Sequence, residues 1–581
     1  MQLRKHQQRF KKIINDIVSG SSLKNIYCHC APGSGKSLLP VIAGKLIAAG
    51  MADKLVWVAP RLSLIDQGER EFISPAWNDV LGYRIKVRSS TNEINPSRGL
   101  QGFCTTYQAV GLDEGILRHE FSRYRYILIL DEWHHIAVGS TWEKKIMELW
   151  GLAAYRILMS GTLERGDGEQ IAFLPYKADG PCFVPDLRET PDTATVHYKR
   201  SDALNERAII PLSFHLSDGR AEWQEKTGRK RKIASINKVT ETEATKALYT
   251  SLKTEFADEL LLSGLSHFKK HIREVNAFSK CLVVTSNISE AKRHLETIEK
   301  SSFGLRIAIA TSEDSQEALQ YINKMKRGLI DVLVTVAMAY EGLSIPAVSH
   351  IICLTRIRST PWIDQMTARA NRIDPDAGPY ESQFGYIFAP ADPLFKMIVE
   401  KIEAEQLPYV ETKSDQGGKG KQRGKVITNN DGLPPQQASP GGITALSSEM
   451  TGKHEIVLTN KLVLESESIN VAPQPLNHVA NAGKTIIREE RTQREIEANL
   501  LKQIESHIRT FAFQNRYNPK KINAEIYGYY GKKRRDMTVP ELESCLSYIK
   551  WKYPLLNIRG TGRPRVPAKA VPINIEWRLA Q

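Results

Sequence analysis

Residues 25–50 read NIYCHCAPGSGKSLLPVIAGKLIAAG and constrain the fold more than any other stretch. NIYCHC has the make-up of a short strand, and LLPVIAGKLIAAG that of an apolar helix. The loop between them carries Gly33, Ser34, Gly35, Lys36 and Ser37. Glycines let backbone N–H groups close on phosphate oxygens, and the helix N-terminus adds its positive end. Lys36 is positioned to reach the β- and γ-phosphates, and the Ser37 hydroxyl to hold Mg²⁺. Cys30 stands where the general pattern has its first glycine. Cys28 and Cys30 alternate with His29 along the strand, so the two thiols share one face. No second Cys/His pair lies at zinc-like spacing, so the triplet reads as strand and not as a metal site.

A second segment, YILILDEWHHI (126–136), delivers Asp131 and Glu132 at the end of an apolar strand. An acidic pair there suits nucleotide hydrolysis, with Asp131 on Mg²⁺ and Glu132 as base toward the attacking water. DEWHH resembles the DExH box of superfamily 2 helicases, with His134 at the box's histidine position. Further segments resemble that family's motifs in order. They are LRKHQQ (3–8), VWVAPRLSLIDQ (56–67), GFCTTYQAV (102–110), LMSGTL (158–163), KCLVVTSN (280–287), DVLVTVAMAYEGLSIPAVSHII (331–352) and QMTARANR (365–372).

The resemblance spans residues 1 to about 400 and implies two RecA-like, P-loop NTPase domains with parallel sheets, 1–205 and 206–410, with ATP and Mg²⁺ in the cleft between them. It implies Gln7 against the adenine, Gly342 at the nucleotide, and Gln365, Arg369 and Arg372 reaching across from the second domain. Ser160 and Thr162, with His134, would couple hydrolysis to movement. The sequence departs from the family at Ala368 for glycine and at Ser344 for an acid. Trp133 is bulky for its place and would pack against the adenine-side loops or the domain face. None of these changes removes a catalytic side chain, so a working ATPase is expected. Independently, apolar strands such as LVWVA, RILMS and HIICL alternate with helical stretches, as doubly wound sheets require.

In this family, polar groups at strand ends touch the nucleic-acid backbone. Here these are Arg61, Thr105, Thr106, Ser286, Asn287, Thr311 and Thr335, each of which could instead make a local capping bond. The net charge of +15 favours a polyanionic partner. From Lys484 onward there are 20 Lys+Arg against 10 Asp+Glu, so +10 of the excess lies in the last sixth of the chain. RNP, KH and zinc-knuckle patterns are absent, which leans the reading toward DNA, single-stranded or branched over plain duplex. Gly562-Arg563-Pro564-Arg565 resembles an AT-hook core, which would put Arg563 and Arg565 in the minor groove; a solvated basic, proline-rich tail is the simpler reading of so short a motif.

Residues 411–450 are rich in Gly, Pro, Gln and Lys and read as a flexible linker. Residues 451–485 stay unassigned beyond a strand-like EIVLTNKLVL, and 486–581 read as a small, mainly helical basic domain with an extended tail. In it Lys532, Lys533, Arg534 and Arg535 follow Tyr529 and Tyr530, a basic-aromatic patch suited to DNA or to a protein partner. No apolar run approaches a membrane span, no secretory signal opens the chain, and seven scattered cysteines fit a reducing compartment, so a bacterial or phage-infected cytoplasm is expected. A nuclease constellation is not evident. The expected activity is an ATP-dependent DNA helicase or translocase. The alternatives are an RNA helicase, an ATP-switched DNA-binding recruiter and the motor subunit of a restriction or defence complex.

Overall fold

The structure is a computed structural model that describes residues 2–90, 93–179, 182–311, 315–336, 345–405, 443–458 and 491–555. The chain divides into two compact units, Met1–Thr492 and Gln493–Gln581.

The first unit contains two sheets. Strands β1 (Asn25–Cys30), β2 (Lys54–Ala59), β3 (Val87–Ser89), β4 (Gly102–Thr106), β5 (Tyr126–Asp131) and β6 (Tyr155–Ser160) belong to the first. A small hairpin, β7 (Tyr176–Asp179) with β8 (Cys182–Pro185), stands apart, and β9 (Thr193–Tyr198) completes the sheet. Its seven strands are all parallel, in the order β3-β4-β2-β5-β6-β1-β9. Parallel strands are covered on both faces, which is why they read as near-continuous apolar runs. Leu55, Trp57, Ile127 and Ile129 pack into one core and Val56, Val58, Leu128 and Leu130 into the other. Cys28 and Cys30 lie together in the first of these cores, as the alternation requires.

The second sheet is built from β10 (Leu212–Glu225), β11 (Lys230–Ile233), β12 (Lys280–Thr285), β13 (Ile307–Ala310), β14 (Val332–Val336), β15 (Val348–Leu354) and β16 (Gly385–Pro390), ordered β11-β10-β16-β15-β12-β14-β13. The pairings from β10 to β13 are parallel, and β11 adds antiparallel.

One expectation is corrected here. Residues 443–450 do not belong to a linker: Ile443–Leu458 forms a strand, β17, antiparallel to β10 over nearly its whole length. The segment is too polar and glycine-bearing to announce itself by alternation. Its pairing is imposed from outside, by the open edge of β10 and by Glu255 and Glu259, which accept from the backbone N–H groups of Ser448 and Met450. No helix among the described residues is long and apolar enough to cross a membrane.

Four histidines meet on one face of the second sheet: His215 on β10, His350 on β15, and His267 and His271 one turn apart on the helix Glu255–Glu274. His267 Nδ1 lies 2.9 Å from His350 Nε2. No group of three or more His, Cys, Asp or Glu among the described residues is arranged to hold a metal ion. Burial first, then neighbouring imidazoles, pushes His215 and His271 down to about 4, and His350 lies well below its ordinary value. Neutral in the fold and titrating near 6.5 when unfolded, these groups bind more protons in the unfolded chain at acid pH, so they cost no stability above about 6.5 and destabilise increasingly as pH falls toward about 4. The melting temperature should therefore drop across that window, and His271→Phe should flatten the drop; an unchanged pH profile in that variant would refute the assignment.

Candidate nucleotide site and inter-domain cleft

Strand order brings the chemistry to one edge. β5, β6 and β1 are neighbours, with Asp131 opposite Met159 and Ser160 opposite His29. The glycine loop after β1, Ser160 at the end of β6 and Asp131-Glu132 at the end of β5 thus emerge side by side at the carboxyl edge, where open α/β sheets bind ligands. From the second sheet, the helix Thr360–Thr367 after β15 presents Gln365. It ends before the arginines, so Arg369 and Arg372 sit on the turn beyond it and not on a continuous helix face. Lys36, Asp131, Glu132, Gln365, Arg369 and Arg372 line an open cleft of about 1160 Å³, with Ser160 buried behind it.

The loop has the backbone that a phosphate cradle needs. Gly33 and Gly35 have φ of +82° and +86°, a region costly for residues with a Cβ. The Ser34 hydroxyl is buried with no hydrogen-bond partner among the described residues. Arg4 donates to the Ser34 carbonyl at 2.6 Å and Gln7 to the Gly35 carbonyl at 3.1 Å. The Gln7 carbonyl oxygen in turn accepts from the Arg4 N–H at 2.9 Å. Gln7, expected against the adenine, therefore engages both ends of its amide within the protein and braces the loop from beneath.

Lys36 Nζ lies 2.7 Å from Glu132 Oε1. Burial pulls the ammonium down, but Glu132 and Asp131 more than offset it, so Lys36 titrates above its ordinary value. Burial also raises the Asp131 carboxyl, helped by Glu132, to about 7, while Lys36 and His134 overcome burial and hold Glu132 well below the carboxylate range. Asp131 accepts from Trp57 Nε1 at 3.2 Å and its carbonyl from Tyr107 Oη at 2.8 Å. Glu132 is delivered by a left-handed turn, φ +48°, a strained backbone of the sort that clusters at active sites. Ser37 Oγ donates to Glu71 Oε1 at 2.8 Å. The oxygen donors of Ser37 and Asp131 suit a hard cation such as Mg²⁺, which when bound would supply charge neutralisation for phosphate oxygens.

A polar chain crosses the cleft. His134 Nδ1 lies 2.8 Å from Ser160 Oγ, which donates to the Thr162 carbonyl at 2.6 Å and lies 3.4 Å from Glu132 Oε2. On its other side His134 Nε2 faces Gln365 Nε2 at 3.4 Å. Arg372 is lowered to about 9 by burial and by the like charge of Arg369.

Several contributors escaped sequence reasoning. Arg4, Trp57 and Glu71 carry no motif signal of their own. Buried Arg200 pairs with Asp364, one residue before Gln365, and Lys401 bridges the domains to Glu164 at 2.8 Å. Asn371, between the arginines, is buried with both ends of its amide unpartnered, and its Oδ1 lies only 2.8 Å from where a Cβ on Gly33 would sit. Trp133 packs in the core behind the first sheet, against Tyr27, and on neither expected surface.

Among the residues expected on nucleic acid, Thr106 and Asn287 cap helices, accepting from Ala109 N–H at 3.1 Å and Glu290 N–H at 2.9 Å. Thr105, Ser286 and Thr335 are buried, and Ser286 accepts from the Arg356 N–H. The side chains of these five thus serve their own backbone or core, because strand-end N–H groups need acceptors whether or not a ligand arrives. Thr311 is half-buried at the end of β13, and Arg61 lines the nucleotide cleft. Gly342, Arg563 and Arg565 lie outside the described residues.

Residues 1–165 match the family model described as type III restriction enzyme, res subunit, and residues 263–374 match the helicase conserved C-terminal domain. The chain thus carries the paired domains of a superfamily 2 helicase. Domains of this superfamily generally hydrolyse ATP. Among relatives, the Mycobacterium tuberculosis protein Rv2917, itself uncharacterised, is 22% identical over 391 residues, 67% of this chain; the helicase described here spans 62% of that relative's length. Among solved structures, a putative HsdR subunit of a type I restriction enzyme from Vibrio vulnificus is 13% identical with a TM-score of 0.44, covering 69% of this chain and 66% of that one. The type ISP restriction-modification enzyme LlaBIII bound to DNA is 14% identical with a TM-score of 0.43, covering 67% and 28%.

Gly33 makes the cradle testable. In Gly33→Ala the new Cβ meets Asn371 Oδ1 at 2.8 Å on a backbone of φ +82°. Nucleotide affinity, read with a fluorescent ATP analogue, should fall about tenfold or more. Adding Asn371→Gly should recover only part of it, since the clash is relieved and the backbone strain is not. Wild-type affinity in Gly33→Ala would remove this loop from the site.

Proposed function

We propose that this helicase is an ATP-driven DNA motor. The observation that carries the reading is the unbroken polar chain from Lys36 through Glu132 and His134 to Gln365, which ties the nucleotide loop of one domain to the arginine-bearing segment of the other. A group that exchanges Glu132 for phosphate oxygens at Lys36 alters the position of Glu132, and through His134 the grip on Gln365. Opening and closing of the cleft would then follow the nucleotide state. In this reading Glu132 takes the proton of the attacking water, Arg369 and Arg372 neutralise the charge that develops on the transferred phosphoryl group, and Ser37 and Asp131 hold Mg²⁺. DNA as the track is favoured by the +15 charge concentrated toward the C-terminus. Strand contacts would come from backbone amides and from Arg61 and Thr311 more than from the buried hydroxyls.

A second reading, the motor subunit of a restriction or defence complex, is favoured by the description of the family model matching residues 1–165. Co-purification of a nuclease or methyltransferase at fixed stoichiometry would select it.

ATP turnover should be measured with single-stranded, forked and duplex DNA and with RNA at matched nucleotide concentration. DNA is expected to stimulate most, and stimulation by RNA alone would sink the DNA assignment. Glu132→Gln should keep nucleotide binding while losing turnover by about a hundredfold or more, whereas Lys36→Ala should weaken binding itself. Near-normal hydrolysis in Glu132→Gln would require another base.

A further inference from the structure

The second unit contains three helices, Gln493–Gln514, Pro519–Tyr530 and Val539–Lys552, around a core that includes Ile504, Ile508, Ile522, Ile526, Leu542 and Ile549. The large exposed aromatics among the described residues are Phe183, Phe278, Phe513, Tyr517, Tyr527, Tyr529 and Trp551, and the last five belong to this small unit. Three aromatic rings form a connected array. Tyr529 stacks on Tyr548 with centroids 5.4 Å apart and planes at 13°, and Tyr548 lies 6.2 Å from Trp551, one helical turn on. The array is held rigid. Tyr548 Oη donates to Glu525, which also takes Lys552, while Ile526, Cys545 and Ile549 fill the core beneath it. Tyr529 and Trp551 nevertheless remain 66% exposed each.

The unit that carries these rings is basic. Residues 491–555 hold 13 Lys+Arg against 7 Asp+Glu. Lys532, Lys533, Arg534 and Arg535 follow Tyr529 after Tyr530 and Gly531, Lys532 pairing with Glu541 and Lys533 exposed. Lys552 Nζ lies 5.7 Å from the Tyr548 ring centroid. Flat, pre-ordered rings, those of Tyr529 and Trp551 largely exposed, in a basic unit match bases on a phosphate strand. A duplex cannot use them, because its bases are already stacked on one another.

We infer that the Tyr529–Tyr548–Trp551 array is a stacking platform for the bases of an unpaired DNA strand, with Lys533 and Arg535 on its phosphates. The choice of DNA rests on the motor reading above; the stacking geometry does not.

The test uses the full chain and anisotropy with labelled oligothymidylate of about 20 nucleotides, a duplex of equal length, and oligouridylate. In the Tyr529→Ala/Trp551→Ala variant, affinity for oligothymidylate should fall about ten- to hundredfold. The slope of affinity against salt, duplex binding and nucleic-acid-free ATP turnover should stay unchanged. Tyr529→Phe/Trp551→Phe, which keeps the rings, should retain affinity. Lys533→Ala/Arg535→Ala should instead reduce the salt slope, by about 0.7 for each phosphate that is no longer neutralised. Unchanged oligothymidylate affinity in the double alanine variant, an equal loss on duplex, or a loss confined to oligouridylate would overturn the proposal. Absence of DNA-stimulated turnover in the wild type would sink the motor reading and leave this comparison standing.

Discussion

A buried ammonium shared between two carboxylates sets the terms for everything around it. Lys36 sits 2.7 Å from Glu132, with Asp131 adjacent. Removing Lys36 leaves two carboxylates side by side without a counter-charge, and removing Glu132 takes the ammonium's ion-pair partner, each costlier than the pair itself is stabilising. The requirement propagates outward. Glu132 needs its left-handed backbone to reach the lysine, Asp131 needs the Trp57 and Tyr107 donors, and the glycine loop needs Arg4 and Gln7 beneath it. In the proposed mechanism Lys36 would serve either Glu132 or a phosphate, so the base would be held by the group that it must release in order to act. A split site would gain from this, because hydrolysis would be discouraged until substrate had displaced the internal partner.

The motor's chemistry was legible in the sequence because its demands are local. A cradle needs glycines at fixed spacing, an acidic pair needs a strand to carry it, and parallel strands covered on both faces need apolar runs. Cys28 and Cys30 fell on one face, as strand alternation dictates. What stayed hidden depends on partners far away in sequence. The histidine cluster joins residues 215, 267, 271 and 350, none of which looks unusual in its own segment. The Arg200–Asp364 pair links a helix of one domain to the Gln365-bearing helix of the other. The bond from Gln7 to the Gly35 carbonyl was not legible either, because a glutamine near a nucleotide loop can face the loop or the base. Thr106 and Asn287 were ambiguous for the same reason, since capping and phosphate binding call for one residue type.

In the proposed readings the two units would hold a strand by different physics. The cleft would use backbone amides and charges at strand ends, which track a phosphate chain without regard to its bases. The small unit would use flat rings, which engage bases of any identity provided they are unpaired. One device would follow the backbone and the other would sense whether the duplex has been opened.

The strand at residues 443–458 has a consequence for how the chain is made. β10 is finished by residue 225, yet its outer edge is not covered until β17 arrives some two hundred residues later. At ribosomal rates of about 5–20 residues per second, that edge stays open for roughly 10–40 s during synthesis. Unpaired strand edges invite pairing between nascent chains. Arg220 and Glu222 on β10 place charge along this edge, and Arg220 finds its partner, Glu449, only when β17 docks. The same side chains that lock the finished sheet can thus keep it soluble while it waits.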